Sequence, residues 1–232
     1  MRLYIGNKTY SSWSMRPWVL MRALDIDFED VFVPFDGFTP EAEFKKTMAA
    51  IHPMATVPVL EAHGLVIGDS LAITEYLAEA FPEAGIWPSE RTKRAKARQI
   101  TSVMHSGFSA LRTYCPMNIG VDLAPIGQKL MAEQGGLRAD LALLEALLGP
   151  HCAKDGYLFG DFSAADAFYA PVMSRIESYD LPLSEALSAY QKRLLSHKAV
   201  KAWVAEAKAE GIFLDFEEPY RDAPDGAPFI KA

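Results

Sequence analysis

Apolar and polar positions change rhythm partway along the chain. From Met1 to about Phe81, short apolar runs alternate with stretches of helical period. Arg2 to Ile5 reads as a strand, and Met15 to Leu24 as a helix with Met15, Val19, Leu20, Ala23 and Leu24 near one face. Phe28 to Phe35 is rich in aromatic and β-branched residues and reads as a second strand, closed by Pro34 and Gly37. Pro40 to Ala50 carries helix formers. Val57 to Glu61 and Leu65 to Ile67 read as two short strands joined by a hairpin at His63-Gly64. Ser70 to Ala80 closes the series as a helix, so the expected order is β-α-β-α-β-β-α.

From about Ser89 the strand signals vanish. Arg91 to Tyr114 reads as one long helix and Ile126 to Leu148 as another, followed by shorter ones over Ser163 to Tyr179, Ser184 to Leu195 and Lys198 to Glu210. Between the halves, Pro82 to Pro88 has the proline and glycine content of a linker. The pattern predicts an α/β domain over residues 1–82 and an all-helical domain over 89–232. The tail from Glu217 to Ala232, with three prolines, is expected to lie extended on the surface.

Composition narrows the function classes. Of 232 residues, 50% are hydrophobic and 23% charged, enough to build a core and too apolar for a disordered chain. A net charge of −7 argues against a nucleic-acid binder, whose footprint is a basic face. Two cysteines, Cys115 and Cys152, cannot make a disulfide framework, so a reducing, cytoplasmic location is expected. The start, Met1 to Gly6, lacks the apolar run of a signal peptide, and no stretch nears the roughly 20 apolar residues of a membrane span. The five histidines lack metal-ligand spacing, and no metal site is expected.

Three clusters carry candidate chemistry. In the first, Tyr10-Ser11-Ser12-Trp13-Ser14-Met15-Arg16-Pro17-Trp18, the proline suits only a first helical turn, which predicts helix entry near Trp13 or Ser14. Ser11 and Ser12 then precede a helix N-terminus, where they serve either as caps or as donors to an anion. No Gly-x-Ser-x-Gly elbow supports a nucleophilic serine. In the second cluster, Pro58 suits the first residue of a strand, and a cis Val57-Pro58 bond would turn the N–H and C=O of Val57 toward a ligand backbone. In the third, Asp69-Ser70 at a helix start forms either an ordinary cap or a receptor for an α-amino acid head group, with Ser70 on the carboxylate and Asp69 on the ammonium.

Together these clusters resemble the glutathione transferase superfamily, across essentially the whole chain. Ser11-Ser12-Trp13-Ser14-Met15-Arg16 resembles the active-site loop of the serine-type classes, the zeta class in particular. His52-Pro53-Met54-Ala55-Thr56-Val57-Pro58-Val59-Leu60 is similar to the family's cis-proline segment. Asp69-Ser70-Leu71-Ala72-Ile73 is similar to the signature that grips the γ-glutamyl end of glutathione. Phe159 to Asp166 resembles the folding motif of the helical domain, with Ser163 and Asp166 spaced as a capping box.

The resemblance implies a thioredoxin-like N-terminal domain, an all-α C-terminal domain and a homodimer. It implies glutathione as co-substrate, bound by Ser12, Val57, Asp69, Ser70 and His105, with the Ser11 hydroxyl directed at the sulfur. A free thiol titrates near 8.5, so a donor to sulfur favours the thiolate at neutral pH. That thiolate would attack a small electrophile in a pocket between the domains. Met104, Phe108 and Arg112 are expected to share the helix face toward it. Trp13 stands where zeta members usually have Cys, Pro17 and Trp18 replace a Val-Arg run, and Asp69 replaces Gln. The leading expectation is therefore general glutathione transfer. The alternatives are a zeta-type cis–trans isomerase of maleylacetoacetate and a non-catalytic binding protein.

Overall fold

The computed structural model describes residues 1–152 and 155–229. Its first part runs β1 (Arg2–Ile5), α1 (Ser12–Ala23), β2 (Glu29–Phe32), α2 (Glu43–Ile51), β3 (Val59–Ala62), β4 (Leu65–Gly68) and α3 (Ser70–Ala80), in the expected order. The strands form one sheet ordered β2-β1-β3-β4. Strand β1 is parallel to β2, with Leu3 opposite Asp30, and antiparallel to β3, with Leu3 opposite Leu60. This is the thioredoxin-like βαβαββα arrangement. The β3–β4 turn places His63 at φ 50° and Gly64 at φ 81°, the left-handed pair that a two-residue hairpin turn requires.

The rest is helical: α4 (Arg91–Ser106), α5 (Ser109–Tyr114), α6 (Ala124–Glu133), α7 (Gly135–Leu148), α8 (Ala164–Ser178), α9 (Glu185–Ser196) and α10 (Lys198–Glu210). Both long helices expected from the periodicity are broken in two. At the first break Phe108 adopts a left-handed φ of 57°. A Cβ on the preceding Gly107 would approach the Val103 carbonyl oxygen to 2.6 Å. Met104, Phe108 and Leu111 are buried on both sides of the break, which is why the apolar period runs through it. At the second, Gln134 leaves the helical region (ψ 97°) ahead of Gly135-Gly136.

Two further expectations are corrected. Helix α1 starts at Ser12, so Pro17 lies in its second turn, where the bond it cannot donate would have gone to the Trp13 carbonyl. The tail does not simply lie on the surface. After a 3₁₀ turn over Asp215–Glu217, Glu218 is 1% exposed and accepts hydrogen bonds from Tyr10 Oη at 2.8 Å, from Asn118 Nδ2 and from the Arg221 guanidinium. A buried carboxylate needs such partners, and the tail is drawn inward to supply one end of the network. The last three residues of the tail, 230–232, lie outside the described residues.

One core runs through both parts, from Leu3 and Ile5 through Met15 and Trp18 to Phe168, Tyr169 and Trp203. Helix α1 lies at its centre, between sheet and α8. Trp18 meets Trp203 edge-on at 5.3 Å. Lys8, ahead of α1, bridges Asp30 at 3.0 Å and Glu206 of α10 at 2.8 Å.

The capping box forms as the spacing predicts. Asp166 Oδ2 accepts the Ser163 backbone N–H at 3.0 Å and its hydroxyl at 3.1 Å, while Oδ1 accepts the Leu158 N–H and the Tyr190 hydroxyl. Asp166→Ala would strand four buried donors and should cost about 3–5 kcal/mol, against about 1 kcal/mol for Ser163→Ala. Urea denaturation of both variants checks this, and equal midpoints would contradict it.

Candidate active site

The loop between β1 and α1 is tightly fixed. A Cβ on Gly6 would fall 2.2 Å from the Phe35 ring, and the Asn7 carbonyl accepts the N–H groups of Tyr10 and Ser11 at 3.1 and 2.8 Å. This folding presents Ser11 as the N-cap residue of α1 and Ser12 as its first helical residue. Ser11 does not use its hydroxyl as a cap. Its Oγ donates to Ser14 Oγ at 2.7 Å, and Ser14 also accepts the Gly6 N–H at 3.2 Å. Because both groups are hydroxyls, the pair can reverse. Ser14 then donates to Ser11, and the Ser11 proton is free. The Ser12 hydroxyl accepts Arg175 Nη2 at 3.1 Å, which leaves its own proton free as well.

Ser11 and Ser12 open on a cavity of about 360 Å³ whose wall also includes Trp13, Val57, Arg112 and Arg175. Ser14 is fully buried behind this wall. The Val57-Pro58 peptide bond is cis. Three of the sequence-predicted residues, Ser11, Ser12 and Val57, are thus brought to one surface.

The other three, Asp69, Ser70 and His105, gather at the start of α3 beside that cavity, not on its wall. The cap of α3 is Asp69, at a left-handed φ of 71°, whose Oδ1 accepts the N–H groups of Leu71 at 2.8 Å and Ala72 at 3.2 Å. Its Oδ2 faces His105 Nε2 at 3.3 Å. Burial pushes His105 below its ordinary value, with Asp69 opposing the shift. Ser70 is fully buried and its Oγ accepts Arg16 Nη1 at 3.2 Å. Since Arg16 can only donate, the Ser70 proton is directed elsewhere.

The expected substrate-facing stripe is only partly present. The break at Gly107 turns Met104 and Phe108 into core residues, 2% and 3% exposed, and only Arg112 of the three reaches the cavity wall.

Arg112 is joined by two buried guanidiniums, Arg16 and Arg175, to which the motifs gave no role. Arg16 is fully buried. Its charge lies 3.9 Å from the Trp13 ring centroid and 5.2 Å from that of Phe168. Burial, reinforced by repulsion from Arg112 and Arg175, lowers its pKa. Arg175 donates to the carbonyls of Cys115 and Pro171 as well as to Ser12, and burial together with the nearby Arg112 brings it down to about 10. Arg112 donates to the carbonyls of Met104 and His105 and sits 5.0 Å from the Trp13 centroid. Every one of these hydrogen-bond partners is uncharged. Arg175 had a legible signal, being the one cation of α8, whereas Arg16 lay unremarked in its motif and Glu217 had none.

Among the described residues no cluster of His, Cys, Asp and Glu could hold a metal ion, and no helix is long and apolar enough to cross a membrane.

Comparison with known proteins gives this geometry a context. Residues 10–80 match the model of the glutathione S-transferase N-terminal domain. Glutathione S-transferase 1 of Dianthus caryophyllus is 30% identical over 80% of this chain and 81% of its own. A probable maleylacetoacetate isomerase of Caenorhabditis elegans is 31% identical over 78% of this chain and 81% of its own. Among solved structures, a Burkholderia glutathione transferase homolog with bound glutathione superposes with TM-score 0.68 at 22% identity, covering 90% of this chain and 98% of the other. A zeta-class maleyl pyruvate isomerase superposes with TM-score 0.66 at 22% identity, over 89% and 98%. With a serine pair at the head of α1, a cis-proline beside it and relatives of this likeness, the chain belongs to the glutathione S-transferase superfamily, on the side of its zeta-class members.

Proposed function

We propose that the protein is a glutathione transferase whose domain at 1–82 binds glutathione and whose helical domain at 89–232 completes the pocket for a small electrophile. The observation that carries this reading is the shared wall on which two serine hydroxyls at the positive end of α1 meet Val57. In this reading Val57 pairs with the cysteinyl backbone of glutathione, and Asp69, Ser70 and the neighbouring His105 receive the γ-glutamyl end. Ser70 supports that assignment because its Oγ accepts from Arg16, which leaves its own proton uncommitted. Ser11, with Ser14 as the group that turns its proton outward, donates to the sulfur. Ser12, polarised by Arg175, is a second donor beside it.

The chemistry follows from charge. Bringing a thiol from pKa 8.5 toward neutrality stabilises the thiolate by roughly 1.4 kcal/mol per unit. Hydroxyl donors and the α1 dipole act in that direction. Burial pushes the Cys115 thiol up to about 12 and Cys152 to about 11, so neither competes as a nucleophile. Both are unpaired, which supports a reducing, cytoplasmic location. Leu65 and Val66 on β4 are 53% and 44% exposed, which supports a homodimer.

A second reading has its own support. Arg112 and Arg175 share the cavity wall with the serines, and guanidiniums whose hydrogen-bond partners are uncharged suit an electrophile that carries a carboxylate. That favours isomerisation of an unsaturated carboxylate, in which the thiolate adds to the alkene, the bond rotates, and the thiolate leaves again.

Ser11→Ala should retain binding to immobilised glutathione while the pH profile of transfer to an aryl halide moves up by 1–2 units, toward the free-thiol value. An unmoved profile would transfer the role to Ser12. Arg112→Gln should weaken inhibition by a carboxylate such as cinnamate about tenfold and leave inhibition by its amide within twofold, measured against the same aryl-halide assay. Equal loss for both inhibitors would remove the isomerase reading and leave the transferase reading standing.

A further inference from the structure

The cavity wall carries one carboxyl group, and it comes from the C-terminal tail. Glu217 ends the 3₁₀ turn over Asp215–Glu217 and lines the same cavity as Ser11, Arg112 and Arg175. The segment that carries it is held at several points. The neighbouring Glu218 is clamped by Tyr10, Asn118 and Arg221, and Tyr10 itself lies on the cavity wall, directly before Ser11. The Leu214 N–H donates to Tyr10 Oη at 3.2 Å. On the other side, Phe216 packs edge-on against Phe38 at 5.6 Å, and Phe38 continues into Phe35 and Phe44 beside α2. The tail is therefore a strap that spans the cavity mouth from the helical part to the loop after β2.

We propose that Glu217 is an internal counter-charge of the pocket, and that it sets substrate specificity by opposing electrophiles that carry a carboxylate. The inference rests on the transferase reading of this cavity and adds a residue to it. The guanidiniums of Arg112 and Arg175 find only uncharged hydrogen-bond partners; Asp140 opposes the charge of Arg112 from outside the cavity lining, and Glu217 is the carboxylate that opposes Arg175 from the cavity wall itself. An incoming carboxylate gains the field of the two arginines and meets the charge of Glu217. A neutral electrophile of the same shape meets neither effect. A second carboxylate on the substrate doubles the opposition, so the strap disfavours dicarboxylates most.

Protonation modulates this. The charges that act on Glu217 are Arg175 of α8 and the neighbouring Glu218, and the other titratable groups on the same wall are Arg112 of α5, Lys45 of α2 and Tyr10 of the β1–α1 loop; Arg221 is taken up by Glu218. Burial raises the Glu217 carboxyl to about 7, against the lowering effect of Arg175 and with a smaller rise from Glu218. The sign follows directly: below about pH 6 the group is largely neutral and the opposition disappears, while above about pH 8 it is fully charged and the opposition is complete.

The test uses inhibition of glutathione transfer to 1-chloro-2,4-dinitrobenzene by maleate, cinnamate and cinnamamide. In Glu217→Gln at pH 8, the inhibition constants for cinnamate and maleate, each taken relative to cinnamamide, should fall threefold to tenfold, more for maleate. At pH 6 the variant and the wild type should differ by less than twofold. Phe216→Ala, which releases the strap from Phe38, should shift the ratios the same way and keeps the test decisive if the glutamine variant folds poorly. Ratios unchanged at pH 8, or a weaker carboxylate in Glu217→Gln, would overturn the proposal. Absence of glutathione binding in the wild type would instead remove the transferase reading, and carboxylate inhibition insensitive to Arg112→Gln would remove the anion site on which this proposal and the isomerase reading rest.

Discussion

Helix α1 is covered on both sides, by the sheet and α3 on one and by α8 and α10 on the other, and from Ser14 to Met21 every residue is buried. A helix in that position cannot present an amphipathic face, so its polar residues must find partners inside the protein. Ser14 finds Gly6 and Ser11, Arg16 finds Ser70 and two aromatic rings, and Trp18 is wedged among Phe28, Trp203 and the Lys8 charge. The same burial fixes where the helix begins. Its first turn is placed to within the tolerance of a packed core, and the serines at its head inherit that precision. Lys8, tied to Asp30 and Glu206, and Trp203, donating to the Lys8 carbonyl at 3.0 Å, lock the preceding loop to α10. The site is thus a consequence of how the two parts of the chain share one helix.

Much of this architecture was legible because short elements with strong periodicity are set locally. Strand β1, helix α3 and helix α10 fall within a residue of their expected bounds, and the His63-Gly64 turn follows from its residue types. What the sequence did not disclose is set by contacts distant along the chain. The kinks at Gly107-Phe108 and Gln134 interrupt helices whose apolar period continues, because the same core is buried on both sides of each break. The start of α1 was misjudged by reading Pro17 as a first-turn residue. Tertiary burial of the second turn outweighs one missing backbone hydrogen bond.

The site shows the same division. Ser11, Ser12 and Val57 are singled out by local motifs, and the structure puts them on one wall. Met104 and Phe108 were assigned to the pocket by helical spacing alone, and the break removes that spacing. Arg175 and Glu217 could not be assigned from spacing at all, since each reaches the cavity from an element far along the chain from the serine loop. Arg175 stands out in the sequence as the one cation of α8, but the place of both residues at the cavity follows only from the packing of α8 on α1 and the return of the tail over Tyr10.

The Trp13 position, which departs from the zeta pattern of a cysteine, gains a physical account from this packing. Three guanidiniums converge on one region with uncharged hydrogen-bond partners, an arrangement that would ordinarily demand a carboxylate. The Trp13 ring stands between two of them, 3.9 Å from Arg16 and 5.0 Å from Arg112, and meets the His105 ring edge-on at 5.2 Å. A desolvated cation over an indole face gains about 2 kcal/mol, so the tryptophan offsets part of the repulsion between the guanidiniums without neutralising them. A carboxylate in its place would pair with the arginines and extinguish their field. With an aromatic partner the field persists into the cavity, where it is available to an anionic ligand and to the sulfur as it ionises. The departure at Trp13 is therefore coherent with the rest of the site: it favours a strongly cationic region, in which Asp69 opposes Arg16, Asp140 opposes Arg112 and the strap carboxyl of Glu217 opposes Arg175.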